Sequence, residues 1–223
     1  MGQLGWVWFG GTRDKIYCIP YIDSSGNLFG VLDTKTEALT TTTFGADPQL
    51  SYWWAAAVGA GTKIYCIPYF RDAGNLFGVL DTETETLTTT TFGADPQLDY
   101  QWFTAVGVGK KIYCIPLTKN AGNLFGVLDT ETGTLTTTTF GADPQLSYRW
   151  ATAVGVDKKI YCIPEFNNAG NLFGVLDTQT GTLTTTTFGA NPQLDYQWFT
   201  AVVIGTKIYC IPTSTTQGIF LAY

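Results

Sequence analysis

The sequence predicts an all-β fold made of repeated four-stranded units, and three observations carry that prediction. The phrase KIYCIP begins at Lys15, Lys63, Lys111, Lys159 and Lys207, each copy 48 residues after the last. Within each of the four complete repeats, four short runs of β-forming residues are separated by clusters of turn residues. No window shows the i, i+3, i+4 apolar spacing of an amphipathic helix.

The third repeat shows each element in order. "WFTAVGVG", Trp102 to Gly109, is a small apolar first strand. "KIYCIP", Lys111 to Pro116, is rich in β-formers and stopped by proline, which cannot donate to a ladder. "NLFGVLD", Asn123 to Asp129, follows the turn residues Asn120-Ala121-Gly122. "TLTTTTFG", Thr134 to Gly141, is a β-branched fourth strand. The stretches "DTETG" and "GADPQL" that flank it have the chemistry of turns.

Four antiparallel strands in 40 to 50 residues, repeated in series, is the pattern of a propeller blade. The prediction is therefore a five-bladed β-propeller of 48-residue repeats, a single domain over 1–223. Its units run over about 6–53, 54–101, 102–149, 150–197 and 198–223. The last unit ends "QGIFLAY", which aligns Gly218 with Gly170 and Phe220 with Leu172 and supplies a third strand. The total is nineteen strands, one short of five complete blades. The first strands, such as Ala56-Ala57-Val58-Gly59, are small enough to line a narrow axis. Threonine runs such as Thr88 to Thr91 suit a soluble outer edge. The bare third strand near Tyr223 predicts a monomer, or a weak dimer through the exposed edge of the last blade.

"AAAVGAGTKIYCIP…GNLFGVLDTETETLTTTT" resembles the kelch repeat over nearly the whole chain, with a "KIY" second strand and a third strand ending in Asp-x-x-Thr. It departs from that pattern in two places. Pro68-Tyr69 and its equivalents stand where kelch repeats carry a double glycine. Leu39, Leu87, Leu135 and Leu183 replace the fourth-strand tryptophan. The resemblance implies a propeller in which the first strand lines the channel and the fourth is outermost, so that the last blade lacks its outermost strand.

Composition limits the partners. The formal net charge is −6, with 12 Lys and Arg and no basic run, which argues against nucleic acid. No stretch approaches the roughly 18 apolar residues of a membrane span. The start, MGQLGWVWFGG, shows no basic region leading into a long apolar segment. The compartment stays open on these grounds, with a lean toward the cytoplasm, which the unpaired cysteines also favour.

Candidate chemistry is sparse. Cys18, Cys66, Cys114, Cys162 and Cys210 take one equivalent position per blade. Ring geometry sets them beyond the roughly 7 Å Cα separation of a disulfide. There is no histidine to complete a metal site or a general base, so the thiols read as small buried hydrophobes and the chain as no enzyme. No cofactor motif is present. The repeated Asp33, Asp81, Asp129 and Asp177 read as caps of their own turns.

The loops before the third strand and after the fourth emerge on one face of the propeller and carry the variation between repeats. They bring together aromatic, carboxylate and amide groups. Tyr52, Tyr100, Tyr148 and Tyr196, Asp95, Asp99 and Asp195, Gln101 and Gln197, and Asn75 are the candidate ligand-binding residues. Such surfaces suit sugar rings, which stack on aromatic faces and hydrogen-bond through their hydroxyls. The adjoining Trp102 reads either as part of that face or as packing between blades. The functional expectation is a multivalent, lectin-like carbohydrate-binding module; the alternative is a structural or protein-interaction scaffold. The partner is accordingly carbohydrate or protein.

Overall fold

The computed structural model describes residues 6–12, 14–20, 27–45, 54–69, 75–93, 102–116, 123–141, 150–164, 171–189, 198–212 and 220–222. They hold strands and the turns between them, with no helix. The first blade holds β1 (Trp6–Thr12), β2 (Lys15–Pro20), β3 (Leu28–Asp33) and β4 (Leu39–Thr43). The second holds β5 (Trp54–Ala60), β6 (Lys63–Pro68), β7 (Leu76–Asp81) and β8 (Thr86–Thr91). The third holds β9 (Trp102–Val108), β10 (Lys111–Pro116), β11 (Leu124–Asp129) and β12 (Thr134–Thr139). The fourth holds β13 (Trp150–Val156), β14 (Lys159–Pro164), β15 (Leu172–Asp177) and β16 (Thr182–Thr187). The last holds β17 (Trp198–Ile204), β18 (Lys207–Pro212) and β19 (Phe220–Ala222).

Each blade is an antiparallel sheet whose strands lie side by side in chain order. Among the described residues the last has three strands, as the strand count predicts. The first strands β1, β5, β9, β13 and β17 touch one another in succession and form the inner rim, and the threonine strands lie outermost. This is a β-propeller of five blades.

Two details differ from the sequence reading. The third strand starts at Leu124 and the fourth ends at Thr139, because Gly141 turns into the left-handed region at φ 83°. At the last strand, Phe220 lies opposite Cys210, the place where Gly174 lies opposite Cys162. The chain is thus two residues further along than the pairing of Phe220 with Leu172 predicts. An even shift keeps each residue on its side of the sheet, so the blade tolerates it.

The two-residue period of a strand explains how neighbouring blades adhere. In KIYCIP, Ile112 and Cys114 face the preceding blade, while Tyr65 and Ile67, from the equivalent strand of that blade, face forward to meet them. Around them Val58 and Phe77 of the second blade pack against Trp102 and Leu135 of the third. The same interdigitation recurs between the first and second blades and between the third and fourth. It recurs in reduced form between the fourth and the last. Leu135, where kelch repeats carry tryptophan, is therefore a buried part of the contact between blades.

Trp102 settles the question left open at the loop face. It is fully buried, as are Trp54 and Trp150, and its ring lies across its own sheet over Cys114 and Gly126. A Cβ on Gly126 would stand 2.8 Å from Trp102 Cζ2, so only glycine leaves room for the indole. Phe140 closes the outer end of the contact, edge-on to Phe125 at 5.4 Å between ring centroids. At the inner rim a Cβ on Gly107 would stand 3.0 Å from Val58 Cγ1, so adjoining first strands are as close as their backbones permit.

Candidate functional site

The two ends of each blade differ in kind. At one end lie the short turns 109–110 and 130–133, with their equivalents. At the other lie the longer connections 69–75 and 92–101, with theirs. The register fixes this: Trp102 pairs with Pro116 and Leu124 with Thr139, so both longer connections in a blade leave from the same edge.

The short-turn end satisfies itself. Asp81 Oδ1 accepts the N–H groups of Glu83 at 3.0 Å and Thr84 at 3.1 Å. Asp33, Asp129 and Asp177 repeat the arrangement. The following threonine ties this turn to its neighbour: Thr130 Oγ1 donates to the Lys110 carbonyl at 2.8 Å, as its N–H does at 2.9 Å. Lys110 pairs with Glu131, and Lys35 with Asp14 at 2.7 Å. The expected turn-capping aspartates are thus observed in four blades.

These hydrogen bonds have a measurable consequence. The N–H groups of Thr84 and Glu83 hold the Asp81 carboxyl below its ordinary value of 3.8, and their equivalents do the same for Asp33, Asp129 and Asp177. A depressed folded-state pKa means the unfolded chain takes up protons first. The stabilisation is therefore present above about pH 3.8 and is lost as pH falls through the lower folded values. Urea unfolding of the wild type at decreasing pH is expected to show this acid limb. A variant with all four aspartates changed to asparagine is expected to show a flatter one; equal slopes would remove the turns from the account.

The cysteines are unpaired and, apart from half-buried Cys18, enclosed. Burial pushes the thiols of Cys66, Cys114 and Cys162 far above the ordinary range and that of Cys210 to about 11. A thiol so held is a poor nucleophile, since the thiolate is the reactive form. Among the described residues no group of three His, Cys, Asp or Glu side chains is placed to hold a metal ion.

The longer connections hold the candidate binding residues. Tyr52, Tyr100, Tyr148, Tyr196, Asp95, Asp99, Asp195, Gln101 and Gln197 lie outside the described residues. Asn75 is described and is 3% exposed; its carbonyl accepts the Phe92 N–H at 2.8 Å. Asn27, Asn123 and Asn171 are buried in the same place of their blades and make the same bond. This asparagine closes the end of the blade from within, and its burial leaves little of it to meet a ligand. Its recurrence immediately before every LFGVLD run was the signal for that structural part.

Fold and ends together define a class, a tandem-repeat β-propeller, an architecture that presents loops from a rigid frame for binding or scaffolding. No protein-family model and no curated protein matches the sequence. Among solved structures the chain is similar to Kuenenia stuttgartiensis hydrazine synthase, with a TM-score of 0.59 and 14% identity over 92% of this chain and 54% of that one. It is also similar to apo AztD from Citrobacter koseri, with a TM-score of 0.50 and 14% identity over 79% of this chain and 45% of that one. The chain spans about half the length of each. At such identity the likeness is one of fold.

Proposed function

We propose that this chain is a non-enzymatic, multivalent binding module, a kelch-like propeller that recognises carbohydrate through the loops on one of its faces. One observation carries the reading. All the longer connections leave from one end of the blades, while the opposite end is closed by its own hydrogen bonds. Recognition belongs on loops held by a rigid frame, and the frame here is repeated with little change.

Near-identical blades present several weak sites at fixed spacing, and avidity raises weak sugar contacts into useful binding. Tyrosine, aspartate and glutamine recur on these loops, with "LDYQW" at Leu98 and Leu194 and "LSYWW" and "LSYRW" in the other copies. Sites in the second and fourth repeats therefore resemble each other more than their neighbours.

A glycan array tests the proposal. Binding to one sugar class, with calorimetric stoichiometry above one per chain, is the expected result. No binding across the array, together with specific protein capture, makes the chain a protein-interaction scaffold instead.

A further inference from the structure

The four contacts between successive blades bury a fixed set of residues, and the two outward faces of the series carry that set exposed. On the first blade, Leu39 is 66% exposed, whereas Leu87, Leu135 and Leu183 in the same place are each 6% exposed. Ile16, Cys18 and Leu32 beside it are only half-buried, while their counterparts in the second, third and fourth blades are buried. On the last blade, Ile211 is 48% exposed, whereas Ile67, Ile115 and Ile163 are fully buried. Val202 and Ile204 are exposed on the same side. In every internal contact the second set faces the first.

We infer that the forward face of the last blade takes the rear face of the first blade of a second copy of this chain, head to tail. The occupant is defined by the four contacts already made: a sheet presenting isoleucine, cysteine and leucine at the positions of Ile112, Cys114 and Leu135. Among the described residues only the first blade offers such a face unfilled, and it is not seated on the last, since Leu39 and Ile211 both stay exposed. Bringing it there requires a sharper turn at each internal contact. A sharper turn presses the first strands together, and these have no slack. Val106 Cγ1 already stands 2.9 Å from where a Cβ on Gly155 would be. At the last contact Val203 replaces that glycine, so the inner rim there is filled further.

Charge agrees with the assignment. Lys15 lies 3.9 Å from Glu85 across the first contact, whereas the later contacts have Gly133 and Gly181 at the place of that glutamate. The same step puts Lys207 on the last blade opposite Glu37 on the first. A head-to-tail contact of this kind is heterologous, so it closes into a ring of copies or continues as a filament according to its rotation. It differs from pairing through the bare edge of the last blade, which joins backbones rather than side-chain faces.

Sedimentation velocity on the full chain and on two variants, Leu39→Asp and Ile211→Asp, tests the inference. Both sites are exposed in the single chain, so each variant is expected to keep the wild-type circular dichroism. The wild type is expected to form assemblies that grow with concentration, and each variant alone to sediment at the single-chain mass or, at most, as a pair. An equimolar mixture is expected to form a one-to-one complex, because Ile211→Asp keeps an intact rear face and Leu39→Asp an intact forward face. Cys18 is expected to lose its reactivity toward a thiol reagent on assembly. Variants that still assemble alone as the wild type does would place the contact at the edge strand and overturn the inference. A wild type that stays monomeric would also overturn it, whether Cys18 reacts freely or is protected by closure within one chain.

Discussion

Trp102→Ala is expected to lower the unfolding free energy by about 3–5 kcal/mol, the cost of emptying a large, well-packed aromatic site. The indole is fully enclosed and serves two surfaces together. It covers Cys114 and Gly126 of its own sheet and packs within the contact that the second blade makes with the third. Collapse into the space is limited, because the inner strands on either side are already in close contact. Denaturant unfolding monitored by circular dichroism checks the value. A loss below about 0.5 kcal/mol, the ordinary scale of a surface substitution, would mean that the tryptophan is not a keystone of the contact.

Gly126→Ala is expected to cost about 1–3 kcal/mol through overpacking. The added methyl group would stand 2.8 Å and 2.9 Å from Trp102 Cζ2 and Cη2, and 3.2 Å from Cys114 Cβ. None of these atoms is the free end of a flexible side chain, so backbone or indole must shift. The two sites touch, and their effects should not add. Trp102→Phe shortens the ring and is expected to recover part of the loss caused by Gly126→Ala. Strict additivity in that cycle would separate the two residues. Gly78 and Gly174 meet Trp54 and Trp150 in the same way, so the same cycle applies in those blades.

The strands and their faces were legible because the repeat writes each of them several times over. In KIYCIP the alternation of Ile and Cys with Tyr and Ile assigns one pair to each side of a strand, and the structure buries both pairs against different blades. The aspartates capping the turns were equally legible, since an Asp followed by Thr at a strand end has few other uses. Trp102 was not: a large aromatic beside a loop reads alike as ligand surface or as core, and only Gly126 opposite it decides. The register of Phe220 escaped because the last strand is short and its sequence has drifted from the LFGVLD pattern.

The open outer faces were the least legible feature. A perfect repeat makes every contact look equivalent, including the one between the last blade and the first. How far each blade turns from its neighbour depends on sub-ångström fits at the inner rim, such as Val58 on Gly107, and letters do not carry that angle. Leu39 and Leu135 hold the same place in their repeats, each leading into a run of threonines, yet one is exposed and the other buried, because only Leu135 has a preceding blade against it.

One end of the blades is sealed by Asp81-type turns, and we place recognition on the longer connections that leave from the other. Combining Tyr100→Ala with Tyr196→Ala tests this most directly, with sugar binding and thermal unfolding measured on the same preparations. Loss of binding at an unchanged melting temperature is the predicted result. Loss of both together would show that these tyrosines hold the blades in place and would contradict a recognition face built from them.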